Sequence, residues 1–412
     1  MTNQKEKRKV PELRFPEFSG EIQIDIINNY FENIRNGFVG TATPYYTDNK
    51  GIMYLQSNNI KNGKINDNNL IYVDREFHEL HIKNQLKLND LLMVQSGHAG
   101  DCAVVSQKYV NANCHALIIM TPNNKIDTKY LSYYLQSNKG KKKLNHYITG
   151  NTIKHILASE IKKLSFPVVS LKEQKKIGEF FSKLDRQIEL EEKKLALLEE
   201  QKKGYMQKIF SQELRFKDEN GEEYPEWEEF ILKDYVNYSN GKALENEIDE
   251  LGKYELINLN SISDKGKLKS SNKMTNSNTN LLEKDDLVIV LSDIAKGNLI
   301  GMTAIIPEDN KYVLNQRIGQ LKLKDINKVK ANYLTYYLNF KRNYFIKMSA
   351  GMSQININKD AVLNFSGTMP CYKEQIKIDL FLSSFENEMK YLELKIKVLK
   401  ARKINLLNKL LL

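Results

Sequence analysis

One register of about 200 residues runs through this chain and constrains its fold more than any other feature. Lys172-Glu173-Gln174 returns as Lys373-Glu374-Gln375, and Leu13-Arg14-Phe15 as Leu214-Arg215-Phe216, both 201 residues on. Tyr130–Leu135 returns as Tyr333–Leu338, Asp90–Val94 as Asp286–Val290, Gly150 as Gly351 and Asn113 as Asn315. The order never changes. Chance supplies one such pair, but not six in order, so a single unit has been duplicated. At 412 residues the chain is also too long for one ordinary domain. Two similar units present two similar surfaces, which suits a ligand with two sites.

Each half ends in a pattern that predicts a long helix. Ser170-Leu-Lys-Glu173 sets a serine cap three residues before a glutamate, a pairing that can satisfy two orphan amide donors reciprocally. Pro167 discourages an earlier helical start. A 4-3 spacing follows: Ile177, Phe181, Leu184, Ile188, Glu191, Leu195, Leu198, Lys202, Tyr205 and Ile209. Most of these are apolar, which describes a coiled-coil seam rather than the wider face of a globular helix. The second half repeats the pattern with Ile378, Leu382, Phe385, Met389, Leu392, Ile396, Leu399, Lys403, Leu406 and Leu410, each 201 residues after its counterpart. Even the polar interruption returns, Lys202 as Lys403, although Cys371 stands where Ser170 capped the first helix.

Forty helical residues span about 60 Å. Burying one seam residue is worth about 1.5–3 kcal/mol, so a stripe of this length needs a partner. The two helices of one chain are the nearest partners for each other. If they pair antiparallel, their globular domains sit at opposite ends. A parallel homodimer through either helix is the rival arrangement. The outer positions Glu189, Glu192, Lys193, Glu199, Glu200 and Lys203 read as a solvated face.

The expected organisation is a globular domain over 1–169, a helix over 170–213, a second globular domain over 214–369 and a second helix over 370–412. The fold class is α+β, with two similar mixed α/β domains separated by the helices. Apolar runs of strand length are Leu91–Val94, Ala103–Val105, Ala116–Met120, Leu287–Leu291 and Thr303–Ile306. Tyr130–Gln136 and Tyr333–Asn339 read as short amphipathic helices, and Pro307–Asn310 as a turn closing a hairpin. Polar loops rich in Asn, Gly, Ser and Lys lie between, at 36–51, 61–69, 95–101, 261–280 and 292–297. The halves differ most in these loops while their apolar frames match, the pattern of one scaffold reading two different sequences.

The formal net charge is +11, which suits a polyanionic partner. Cys102, Cys114 and Cys371 are scattered and odd in number, as in a reducing cytosol. No leader segment and no membrane span is expected, so the location expected is cytoplasmic. Chemistry-bearing patterns are weak. His78-Glu-Leu-His81 lacks a third ligand nearby, and neither His98 with Cys102 nor Cys114 with His115 completes a zinc set, so no metal is expected. There is no phosphate-binding GxxxxGK[ST] loop, and no prolines are adjacent, as the Asp/Asn-Pro-Pro-aromatic motif of adenine methyltransferases requires. Asp293 with Asp309 and Lys311 is only faintly like a nuclease metal site. No catalytic residue is assigned to this chain, and a scaffold of this kind without its own chemistry points to catalytic partners.

These residues resemble the specificity subunits of type I restriction-modification systems over nearly the whole chain. The carriers are Pro11-Glu-Leu-Arg-Phe-Pro-Glu-Phe18, with Leu214-Arg-Phe216 through Pro225-Glu-Trp227. Next are Gly150-Asn-Thr-Ile-Lys-His-Ile156 and Gly351-Met-Ser-Gln-Ile-Asn-Ile357, then Pro167 with Glu173-Gln174 and Pro370 with Glu374-Gln375. The resemblance implies two target recognition domains, each reading one half of a split site in double-stranded DNA. It implies paired helices that act as a ruler and as a docking platform for two methyltransferase subunits. Those subunits would methylate adenine with S-adenosylmethionine, and restriction subunits would use ATP and Mg²⁺. None of those cofactors would bind here. The first half departs from the pattern: it has no counterpart of Trp227 around Glu21–Ile24, and Ile153 stands where the second half has Gln354.

Loop position and side-chain chemistry select the DNA contacts expected under that resemblance. They are Tyr45, Tyr46, Lys50, His98, Lys154 and His155 in the first half, and Lys242, Lys296, Arg317 and Gln354 in the second. The lysines would position phosphates, while Gln354, Arg317 and His98 would read bases. Two other classes remain open: a coiled-coil adaptor that binds only proteins, and a standalone nuclease.

Overall fold

Both halves are built around short strands of two to six residues in the computed structural model, which describes residues 11–294, 299–351 and 354–411. The first half runs β1 (Gln23–Ile26), β2 (Phe31–Asn36), β3 (Tyr46–Thr47), β4 (Ile52–Leu55), β5 (Ile60–Lys61), β6 (Lys64–Ile65), β7 (Ile71–Val73), α1 (Arg75–Leu80), β8 (Leu91–Val94), β9 (Cys102–Val104), β10 (Asn113–Cys114), β11 (Leu117–Pro122), α2 (Thr128–Gln136), α3 (Asn138–Asn145), α4 (Ala158–Ile161) and β12 (Ser165–Val168). The long α5 (Leu171–Phe210) follows. The second half runs β13 (Glu228–Ile231), β14 (Val236–Asn240), β15 (Tyr254–Ile257), β16 (Met274–Thr275), β17 (Leu287–Val290), β18 (Ser292–Ile294), β19 (Thr303–Ile305), β20 (Tyr312–Leu314), β21 (Ile318–Leu323), α6 (Ala331–Phe340), α7 (Asn343–Met348), β22 (Gln354–Asn356), α8 (Lys359–Leu363), β23 (Ser366–Met369) and the long α9 (Tyr372–Leu410).

The chain divides into two units, Met1–Lys193 with Glu393–Leu412, and Lys194–Leu392. Each unit therefore holds one globular half, part of α5 and part of α9. In the first unit one sheet has the order β2-β11-β8-β9, and a second the order β10-β4-β7-β3. The second unit repeats the scheme with β14-β21-β17-β19 and β16-β15-β20. In both, the second of these sheets contains a parallel pair, β10 on β4 or β20 on β15. A short antiparallel pair next to the long helix start, β1-β12 or β13-β23, is also common to both.

β8 shows why the frame is apolar on both faces. Leu91 and Met93 enter the core shared with the helices, while Leu92 and Val94 enter the core between the sheets. β17 does the same with Leu287 and Ile289 on one side and Val288 and Val290 on the other. Alternate side chains point to opposite faces, so a strand buried on both must be apolar throughout. For the same reason α2 and α6 are not amphipathic as expected. Residues Tyr130 to Leu135 and Tyr333 to Leu338 are all buried, wedged between a sheet and the long helices.

The long helices pair antiparallel within each unit. In the first, Lys403 Nζ lies 2.7 Å from Asp185 Oδ1 and Lys400 Nζ 2.7 Å from Glu192 Oε1. In the second, Lys194 Nζ lies 2.8 Å from Glu388 Oε1, and Lys202 pairs with Glu386. Of the seam, Ile177, Phe181, Ile188, Leu198, Ile378, Leu382, Met389, Leu392, Ile396 and Leu399 are buried. Leu184, Leu195 and Phe385 are partly buried. Ile177 and Phe181 share the first unit's core with Leu407 and Leu411, and Ile378 and Leu382 share the second unit's core with Ile209 and Phe210.

Three further details differ from the sequence reading. Ser170 Oγ accepts from the Glu173 amide at 3.2 Å, but the Glu173 carboxylate goes to Arg14 Nε and Nη2, both at 2.8 Å, and does not close a capping box. The segment Pro307–Asn310 closes no hairpin: β19 pairs with β17, whereas β20 leaves for the other sheet and pairs with β15. Ser292–Ile294 is a strand on β22 rather than loop, because its backbone finds a second strand to pair with.

Candidate nucleic-acid interface

Two turns of the repeat carry three of the predicted residues, Lys154, His155 and Gln354, and a glycine shapes each. Gly150 has φ +97°, and a Cβ there would lie 2.2 Å from the Ile153 carbonyl oxygen. Gly351 has φ +134°, and its Cβ would lie 1.9 Å from the Gln354 carbonyl oxygen. Only glycine fits such a backbone. Backbone bridges then tie Thr149 to His155 and Ala350 to Asn356. The tightened turns dock on the chain leaving the central strand: Ser96 bridges to His155, and Ser292 to Asn356.

In the first unit this docking brings His98, Lys154 and His155 together. Gly97 N donates to Lys154 O at 3.0 Å, and Ser96 Oγ is hydrogen-bonded to His155 Nδ1. His98 Nε2 reaches the carbonyl oxygens of Ser57 and Ile60 at 3.0 and 3.1 Å, so this ring presents only its other nitrogen. The contacts continue through Gln56, whose Nε2 donates to the Tyr46 hydroxyl at 3.2 Å. Tyr45 is half-buried, its ring 5.3 Å from that of Phe77. Lys50 is exposed in the turn after β3, where its amide donates to Asp48. Tyr46, Gln56, His98, Lys154 and His155 thus share one polar edge, with Tyr45 and Lys50 beside Tyr46.

In the second unit Gln354 Nε2 donates to Ser292 Oγ. The neighbouring Leu291 N donates to Arg317 O at 2.9 Å, which joins Gln354 to Arg317. Lys242 N donates to Leu314 O at 3.3 Å, and its side chain is exposed. Lys242, Arg317 and Gln354 therefore share one edge as well. Lys296 lies outside the described residues.

The structure adds residues that sequence reasoning missed. Glu245 Oε1 accepts from Asn315 Nδ2 at 3.0 Å and from Gln316 Nε2 at 3.2 Å. The Asn315 hydrogen bond, first, and the nearby Arg317 cation hold this carboxyl below its ordinary value. Asn315 is not the counterpart of Asn113. His115 N donates to Leu55 O at 2.8 Å as Asn315 N donates to Ile257 O at 2.9 Å. Likewise Phe38 N donates to Cys114 O as Lys242 N donates to Leu314 O. By these bonds His115 stands where Asn315 stands. Asn113 instead anchors His78, Oδ1 to Nδ1 at 2.6 Å. A repeated Asn-Gly could have marked the place, since Asn36-Gly37 returns as Asn240-Gly241 at the ends of β2 and β14. A Cβ on Gly37 would lie 2.6 Å from Cys114 O, and one on Gly241 2.1 Å from Asn315 O.

Among the described residues, no group of three or more His, Cys, Asp or Glu side chains is placed to hold a metal. Nor is any described helix long and apolar enough to cross a membrane. Burial pushes the Cys102 and Cys114 thiols up to about 12, so neither is a ready nucleophile.

The family model for the type I restriction modification DNA specificity domain matches this chain twice, over residues 25–200 and 224–401. The chain is similar to the type I restriction enzyme MjaVIII specificity subunit of Methanocaldococcus jannaschii, with 27% identity over 73% of this chain and 72% of that protein. It is similar to the StySPI specificity subunit of Salmonella potsdam, with 24% identity over 81% and 75% of the two chains. In fold it is similar to the crystal structure of the S subunit of a type I restriction-modification system from M. genitalium, with a TM-score of 0.62 and 17% identity, covering 98% of this chain and 99% of that one. With its duplicated frame matched in both halves, the chain belongs to the family of type I restriction-modification specificity subunits.

Proposed function

We propose that this chain is the non-catalytic, DNA-reading subunit of a type I restriction-modification complex, each unit reading one half of a split target. One observation carries this reading. The same frame is built twice with matching backbone bonds, while the side chains at its polar edges differ. The first unit presents Tyr46, His98, Lys154 and His155, and the second Lys242, Arg317 and Gln354. A duplicated scaffold with unlike edges suits two unlike half-sites better than one symmetrical ligand. The lysines supply sequence-independent phosphate contacts, and Arg317, Gln354 and His98 read base edges. The net charge of +11 favours the same partner.

In this reading the helix pair spaces the two readers and docks two methyltransferase subunits, with restriction subunits beyond them. S-adenosylmethionine serves the methyltransferases in methylating adenine, and ATP and Mg²⁺ serve the restriction subunits. This chain contributes recognition alone and works in the cytoplasm.

The test is a DNA-binding titration of the full chain with its methyltransferase partner, on genomic fragments at several salt concentrations. Binding of one fragment class at least about a thousandfold tighter than bulk DNA supports the reading. Stable assembly with the partner but no DNA retention would make the chain a protein-binding adaptor. Metal-dependent cleavage by the chain alone would make it a nuclease.

A further inference from the structure

We propose that His115 is a base-reading residue of the first unit, donating a hydrogen bond from Nε2 to an acceptor on a base edge. The inference rests on the DNA-reading function and adds a residue and a chemistry to it. His115 occupies the backbone position of Asn315, beside the Arg317 edge of the second unit. The backbone bonds are common to both units, but the side chains are not. The first unit has Phe38, Tyr54 and His115 where the second has Lys242, Leu256 and Asn315. Two half-sites would be told apart at such a position.

The local chemistry fixes what His115 offers. Its ring is half-buried, and its Nδ1 lies 3.2 Å from the Tyr54 hydroxyl. Tyr54 is fully buried, and burial pushes its phenol up, so the hydroxyl keeps its proton. His115 Nδ1 is the hydrogen-bond partner of that buried hydroxyl, which needs an acceptor. Donation from Tyr54 to Nδ1 puts the ring proton on Nε2. Nε2 makes no hydrogen bond among the described residues. The ring is thus a donor held at a set angle, suited to guanine O6 or N7, adenine N7 or thymine O4 in the major groove. The next residue, Ala116, has φ +46°, a left-handed backbone that side chains other than glycine's disfavour. Its amide donates to Phe38 O at 2.9 Å, which holds the strained turn that presents His115. Tyr46, 6.2 Å from Tyr54 between ring centres, links this position to the polar edge of Gln56 and His98.

The experiment maps methylated bases across the host genome with the full complex carrying wild-type chain, His115→Ala, His115→Gln or Tyr54→Phe. Absence of any split motif that depends on the wild-type chain would remove the DNA-reading function itself. Given such a motif, His115→Ala should relax preference at one base of one half-site by on the order of tenfold, leaving the other half-site unchanged. Tyr54→Phe should weaken selectivity at that same base and no other. If His115→Ala lowers the amount of folded chain, His115→Gln provides the reading, through an altered preference at that base. A motif unchanged base for base in both His115 variants overturns the inference, as does equal relaxation in both half-sites.

Discussion

Arg14 grips Glu173 through two hydrogen bonds of 2.8 Å, tying the start of the first unit to the first turn of α5. The same clasp recurs 201 residues on, where Arg215 Nη2 lies 2.8 Å from Glu374 Oε2. The side chains of Glu173 and Glu374 are 3% and 0% exposed, so each carboxylate depends on its arginine. Arg14→Ala should therefore destabilise the first unit by about 3 kcal/mol, since it leaves a buried charge without its partner. Arg215→Ala should do the same to the second. Urea unfolding reads both, and a loss below about 0.5 kcal/mol in each would show that the clasp does not hold the helix starts.

The polar breaks in the seam are matched rather than tolerated. Lys403 meets Asp185 at 2.7 Å with its Nζ 5.3 Å from the centre of the Tyr133 ring. Lys202 meets Glu386 with its Nζ 4.7 Å from the centre of the Tyr336 ring. Lys403→Met alone should cost about 2 kcal/mol, because Asp185 loses its cation partner in a mostly buried place. Adding Asp185→Leu should recover most of that loss. A double-mutant cycle with no coupling between the two sites would contradict the pairing.

Asp286 gives the second unit a pH dependence opposite to the usual carboxylate case. Burial, its first cause, raises this carboxyl above its ordinary value. The folded state thus holds its proton at pH values where the unfolded chain has released it. Stability from this group is full below the unfolded value and declines as pH rises through the raised one. Asp286→Asn removes that decline. The stability of the variant relative to wild type should increase from pH 3.5 towards neutrality, measured by urea unfolding at each pH. A difference that stays flat or reverses over that window would refute the assignment.

Gly150 and Gly351 set the turns that carry Lys154, His155 and Gln354. Alanine at either glycine forces a Cβ to within 2.2 or 1.9 Å of a backbone carbonyl oxygen, at φ +97° or +134°. Each substitution should weaken DNA binding by about tenfold or more through one half-site only. Competition with fragments altered in one half-site at a time checks this. Equal loss through both half-sites would show that the turns do not belong to separate readers.

The helices were legible because their spacing is local. Every seam position from Ile177 to Leu399 follows from counting fours and threes. The strands β8 and β17 were legible because burial on both faces demands an unbroken apolar run. What stayed hidden depends on contacts distant in sequence. Glu173 looked like half of a capping box because nothing nearby in the chain announces Arg14, 159 residues away. Residue type pairs Asn113 with Asn315, whereas the backbone bonds select His115. Ile22, buried ahead of β1, takes the place that Trp227 holds ahead of β13, a swap that side-chain type alone conceals. In the second unit, Trp227 Nε1 donates to Glu374 at 3.3 Å, a bond that Ile22 cannot make.

The central claim is that one chain carries two unlike readers of a split DNA target. Mapping methylated adenines across the host genome, with and without this gene, tests it most directly. The account predicts one motif of two unlike half-sites at fixed spacing, methylated only when the chain is present, with Arg317→Ala relaxing one half and leaving the other intact. A methylation pattern unchanged by loss of the gene would contradict it.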